Sequence, residues 1–214
     1  MSHFVVYVFT EDEDVDTLLA PYNENMVVAP YIKYTKEQAI AKQRKEIEDF
    51  KNGLYTKFLE DPEEYKKNCT NEAHIRYLEE EFPKRLTWTD EECYEQIKQY
   101  YDESEIDEQG NLWSKYPPNA KWDWYTEGGR WNNCLVTKEG THTNEDCVSE
   151  IDWNKTSAPF AFVDSYGRWY ERGEMGWWGI VTNEKDRDEY DEMFNKFVKK
   201  LDGDTKVTVV DCHI

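Results

Sequence analysis

Residues 3–9 (HFVVYVF) are apolar on both alternating faces, β-branched or aromatic, and they end at the acidic run 11–14. That pattern predicts a strand inside a sheet, covered on both sides. Residues 18–34 hold two proline turns, Ala20-Pro21-Tyr22-Asn23 and Ala29-Pro30-Tyr31, and read as a loop. The period then changes. Thr35 with Gln38 forms a capping box, and Ile40, Ile47, Phe50, Leu54 and Phe58 follow at helical spacing, predicting a long helix to about Leu59. Asn71 is placed to cap a shorter helix carrying Ile75, Leu78 and Phe82 and stopped by Pro83. Thr89 with Glu92 opens another, carrying Cys93, Ile97 and Tyr100.

From Leu112 the pattern breaks into short aromatic runs separated by Gly and Pro: 112–116, 131–136, 160–163, 168–170 and 177–181. These read as strands and turns. Residues 183–201 return to helix, with Tyr190, Met193, Phe194, Phe197 and Leu201 on one face and Gly203 past the end, and 206–212 (KVTVVDC) is a final strand. The predicted class is α+β, as one domain over 1–214: a ferredoxin-like βαββαβ core with a large helical insertion (35–101) after the first strand, an aromatic strand/turn region (112–181), and a C-terminal helix and strand (183–214). In such a core the first and last strands lie side by side and antiparallel, so His3 and His213 are expected to be neighbours.

Composition narrows the setting. Aromatic residues make up 15% of the chain, with nine Trp, which is foreign to disordered sequences. No apolar run is long enough for a membrane span, and the N-terminus lacks the features of a signal peptide, so a cytoplasmic protein without membrane contact is expected. The five cysteines are odd in number and widely spaced, which suits a reducing compartment. The net charge of −20 repels a phosphate backbone and argues against ordinary nucleic-acid binding. Negative charge is spread over 1–34, 35–111, 122–178 and 179–214 alike, which suits solubility better than mimicry of DNA from one face. The acidic loop 102–110 lacks the alternating ligands of a calcium-binding loop, and no cofactor or metal is expected.

Two constellations carry chemistry. In the first, Trp122, Trp124, Tyr125, Gly128, Gly129, Arg130 and Trp131 place flat rings and a guanidinium fork around a tight glycine turn. The order Gly-Arg-Trp recurs at Gly167-Arg168-Trp169, followed by Arg172 and Trp177-Trp178. Rings and cationic forks together suit a small anionic nucleotide, whereas a structural turn packed on core tryptophans is the plainer account. Neither segment is a phosphate-binding glycine loop. The second constellation joins His3 to Asp211-Cys212-His213. Two imidazoles, a carboxylate and a thiol at one sheet end suffice for acid–base catalysis, against the plainer reading of solvated terminal side chains.

The opening Met1-Ser2-His3-Phe4, the segment Leu19-Ala20-Pro21-Tyr22-Asn23-Glu24-Asn25, the run Lys121-Trp122-Asp123-Trp124-Tyr125 with Gly128-Gly129-Arg130-Trp131, and the end Val210-Asp211-Cys212-His213-Ile214 together resemble a family of uncharacterised bacteriophage and prophage accessory proteins. The resemblance implies work in the bacterial host cytoplasm during infection and assigns no catalytic residue. The expected function is counter-defence by binding and sequestering a small nucleotide signal through Arg130, Arg168, Trp169 and the neighbouring rings. Two alternatives stand beside it: a phosphodiesterase-type hydrolase using His3 and His213, and an acidic interaction protein that occludes a basic host defence protein.

Overall fold

The computed structural model describes residues 2–214 except the side chain of Trp177; Met1 and that indole, which the sequence reading included in the N-terminal motif and the tryptophan-rich stretch, lie outside the described residues. The chain is α+β, with a mixed sheet and several helices. It divides into two compact units, Met1–Val28 with Tyr116–Ile214, and Ala29–Lys115.

The first unit is built on one sheet, whose strands are numbered here β1 (His3–Thr10), β2 (Trp124–Glu127), β3 (Glu145–Cys147), β4 (Ala161–Val163), β5 (Trp169–Glu171) and β6 (Lys206–His213). Their order is β2-β6-β1-β4-β5, with β3 also paired to β6. β1 and β6 run antiparallel along their full length, from His3 opposite His213 to Thr10 opposite Lys206, and β1 is parallel to β4. The expected adjacency of first and last strands is therefore present. The strand order differs from that of a ferredoxin-like core, in which the third core strand lies beside the first and the second lies outside it. Here β4 takes the place beside β1 and its successor β5 lies outside. The cause is local: the Asp164 carboxylate accepts from the N–H groups of Tyr166 and Arg168, and Gly167 adopts φ +75°, closing a tight hairpin that leaves β5 only the outer edge.

Alternation along the strands divides the core in two. Tyr7, Phe9, Phe162, Val207 and Val209 pack under Tyr190, Phe194 and Val198 of the helix Arg187–Val198. Phe4, Val6, Val8, Ala161, Val163, Val210 and Cys212 pack on the other face with Leu18, Leu19, Trp122 and Phe160. Each buried Val or Phe side chain contributes about 1.5–3 kcal/mol, so this double-sided sheet is a firm base for whatever its ends carry.

The second unit is mainly helical. Both capping boxes form, at Thr35/Gln38 and Thr89/Glu92. The first helix continues from Lys36 to Glu60 through a wider π turn at Lys51–Tyr55. A short helix, Pro62–Asn68, follows, and Pro83 does not stop the helical stretch after it, which runs from Glu72 to Arg85. Proline lacks an N–H and crowds the carbonyl four residues back; the π turn Tyr77–Glu81 opens the backbone there and absorbs the conflict. Residues 18–34, read as a loop, contain the end of a short helix, Val15–Leu19, and a strand, Tyr31–Tyr34, paired with Leu112–Ser114. In the loop 102–110, Asp107 accepts from Gln109 and Asn111 backbone N–H groups, the Asn111 amide and the Trp113 indole. Its oxygens are occupied by the turn itself.

Candidate active site

His3 and His213 are paired residues on adjacent strands, and their rings meet edge to face with centroids 4.9 Å apart. Alternation places His3, Asp211 and His213 on the face that carries Tyr7, Phe9, Val207 and Val209, at one end of the sheet. β2 supplies the next wall, since Trp124 pairs with His213 and Thr126 with Asp211.

Each imidazole is held by its own carboxylate. His3 Nδ1 lies 2.9 Å from Asp211 Oδ1, and His213 Nδ1 lies 2.7 Å from Asp123 Oδ1. An ionised carboxylate only accepts, so Nδ1 carries the proton in both rings and Nε2 is left for other work. Asp211 is 2% exposed, and its second oxygen accepts the Arg130 backbone N–H at 2.9 Å. Asp123 is held in turn by the Trp124 N–H at 2.8 Å. The Trp124 indole stacks on His213, 4.9 Å away at an interplanar angle of 16°, and meets His3 edge-on at 5.3 Å. His213 is buried, and its Nε2 has no hydrogen-bond partner among the described residues.

The glycine turn explains how Asp211 comes to be so placed. Gly128 and Gly129 adopt φ +65° and +52°, which bring the turn back over β6. A Cβ on Gly129 would fall 2.4 Å from the Asp211 carboxylate. Gly128 is equally confined, packed against the Asn144 and Asn132 amides. The Gly-Gly-Arg sequence thus acts as a backbone clamp on Asp211, and the site needs Arg130 first for its N–H.

The residues singled out from the sequence separate accordingly. Trp122 is a core residue, 7% exposed, with its indole N–H donated to the Leu19 carbonyl. Tyr125 packs edge-on against Trp122 and donates to Asp16; burial and that carboxylate push its phenol pKa well up. Trp131 is half-buried beneath the helix-side core. Arg130 is exposed. Arg168 pairs with Asp164 at 2.7 Å, lies over the Tyr166 ring, and is 64% exposed at its side chain, while Trp169 donates to Glu171. Neither arginine is buried among rings. Arg130 follows β2 and Arg168 precedes β5, at opposite edges of the sheet; four strand spacings put those edges about 19 Å apart. The two Gly-Arg-Trp segments do not meet. Cys212 also leaves the constellation, because alternation turns it to the other face, where burial raises its thiol pKa well above the ordinary value.

Sequence reasoning missed Asp123 as the partner of His213. Only the pairing of β2 with β6 brings them together, and an Asp between two tryptophans carries no signal of that. Among the described residues no group of three or more His, Cys, Asp or Glu side chains is arranged to hold a metal ion, and no helix is long and apolar enough to cross a membrane. The chain matches no protein-family model, no curated protein and no solved structure.

Proposed function

We propose that this protein is a phosphodiesterase-type hydrolase of a small anionic nucleotide, with His3 and His213 moving the protons. The observation that carries the reading is the pair of adjacent imidazoles, each fixed through Nδ1 by its own carboxylate and each with Nε2 unspent. In the proposed step one Nε2 takes a proton from water as the water oxygen bonds to phosphorus. The bond from phosphorus to the leaving oxygen breaks, and the protonated second ring gives its Nε2 proton to that oxygen. The rings exchange protonation states and recover when the proton passes back from one ring to the other, since His213 Nε2 is closed to solvent. Arg130, exposed on the clamp, supplies positive charge for the phosphate, and Trp124 offers a flat surface for a base. The resemblance to phage accessory proteins supports a counter-defence setting in the host cytoplasm, where destroying a nucleotide signal would be the benefit.

Sequestration without cleavage is the second reading. It is favoured by Trp124, which is 45% exposed beside the buried ring of His213 and the partly buried ring of His3. Incubation with cyclic mononucleotides, cyclic dinucleotides and ADP-ribose derivatives, followed by denaturation and chromatography, separates the two. Hydrolysis returns products that vanish in His3→Ala and His213→Ala; sequestration returns intact ligand. Products that persist in both variants, or a panel neither bound nor cleaved, would sink the proposal.

A further inference from the structure

The second unit contains a groove of about 400 Å³ whose lining includes Lys33, Lys42, Gln43, Glu46 and Arg85. Its charge is the reverse of the chain's. Three cations face one carboxylate, in a protein whose acidic residues outnumber basic ones 46 to 26. Lys42 is paired with Glu46. Lys33 and Arg85 have no carboxylate partner among the described residues, whereas Lys36, Lys66, Lys98 and Arg172 each have one. The Arg85 guanidinium is instead fixed over the rings of Tyr77 and Trp88, at 5.3 and 4.8 Å. Ring contacts of this kind orient the guanidinium and leave its donors free for an anion.

Gln43 adds an uncharged polar group to the cations. It sits within the first long helix of this unit, is only 4% exposed, and lines the groove. No described residue hydrogen-bonds its side-chain amide. The amide is not sealed from solvent, so in a side chain otherwise buried it opens onto the groove. With a carbonyl and an NH₂ group, this side chain can accept and donate at the edge of a planar heterocycle. Tyr34, Tyr100 and Tyr101 add ring surface, and the volume falls in the range of small-molecule sites.

We infer that this groove is a binding site for an anionic ring compound of mononucleotide size, with Lys33 and Arg85 meeting the phosphate and Gln43 the edge of the base. The site lies wholly within the Ala29–Lys115 unit and does not depend on the histidine pair.

Titration calorimetry of the full chain with AMP, GMP, CMP and UMP in turn, and with adenosine and inorganic phosphate as partial probes, tests it. At least one mononucleotide should bind, and adenosine and phosphate each about tenfold or more weaker. Lys33→Gln, Arg85→Gln and Gln43→Leu should each weaken the mononucleotide by on the order of tenfold, the loss expected for a charge-assisted or buried hydrogen bond. Lys33 is exposed and Leu suits a buried position, so these two variants keep the test sound if Arg85→Gln disturbs packing. His3→Ala/His213→Ala should leave affinity unchanged. The inference fails if no mononucleotide binds, if Lys33→Gln and Gln43→Leu bind as the parent does, or if binding disappears in the double histidine variant.

Discussion

Gly129 lies against the carboxylate of Asp211 so closely that its missing side chain is what allows the Arg130 N–H to reach Oδ2. Gly129→Ala would add both a clash and a strained φ of +52°. The expected cost is about 1–3 kcal/mol, seen as a fall of several degrees in melting temperature, together with a change in the ¹⁵N shifts of the His3 ring. A variant that melts like the parent and keeps those shifts would show that the clamp does not set the site.

Asp211→Asn tests the same clamp through chemistry instead of space. The carboxylate accepts on both oxygens, from His3 and from Arg130. An amide of the same shape turns one acceptor into a donor, so with its oxygen on the Arg130 N–H it must donate to His3 Nδ1, which forces the ring into the Nε2–H tautomer and removes the free Nε2 acceptor. Urea titration should show a loss of about 1–3 kcal/mol, and nucleotide turnover should drop with that of His3→Ala. Unchanged turnover would mean that Asp211 does not set the His3 tautomer.

The cysteines should divide by burial. Cys93 and Cys212 are buried, and burial pushes both thiols up from their ordinary pKa. Because the thiolate is the reactive form, native protein treated with iodoacetamide at pH 8 should carry label at Cys69 and Cys147 and none at Cys93 or Cys212. Mass spectrometry of the digested protein reads this directly. Rapid labelling of Cys212 would place it in the site after all.

Asp107 predicts an acid transition in the second unit. The Trp113 indole and the N–H groups of Asn111 and Gln109 hold its carboxyl pKa down to about 2. A depressed value means that the stabilisation is present above the ordinary carboxyl range and is lost as pH falls toward 2. The indole N–H resonance of Trp113 should therefore shift between about pH 4 and 2, and in Asp107→Asn that shift should be absent. A parent resonance that stays still over this range would contradict the bond.

The sequence made one half of this site legible and hid the other. Apolar runs at residues 3–9 and 206–212 mark two strands, and their antiparallel pairing puts His3 beside His213. The capping residues Thr35, Asn71 and Thr89 mark helix starts because each satisfies a backbone N–H locally. Period-two alternation also sends Cys212 to the face opposite His213, so its separation from the histidines was open to inspection. Asp123 precedes, and Trp124 opens, a short edge strand with an exposed face, where alternation is too brief to register. The distance between Arg130 and Arg168 depends on strand order, a long-range property to which the repeated Gly-Arg-Trp motif is blind. The unpartnered amide of Gln43 is likewise invisible in a helix that reads as ordinary.

The pairing of His3 with Asp211 spans 208 positions in the chain, and the whole Ala29–Lys115 unit lies between the strands it joins. Closing so long a loop carries an entropic penalty that grows with the logarithm of the intervening chain, and contacts of this range form late in folding. A nascent or partly refolded molecule would hold its helices and short hairpins before it held the paired histidines. Activity at this site would thus report the last stage of assembly, and proteolytic loss of either terminal strand would silence it outright.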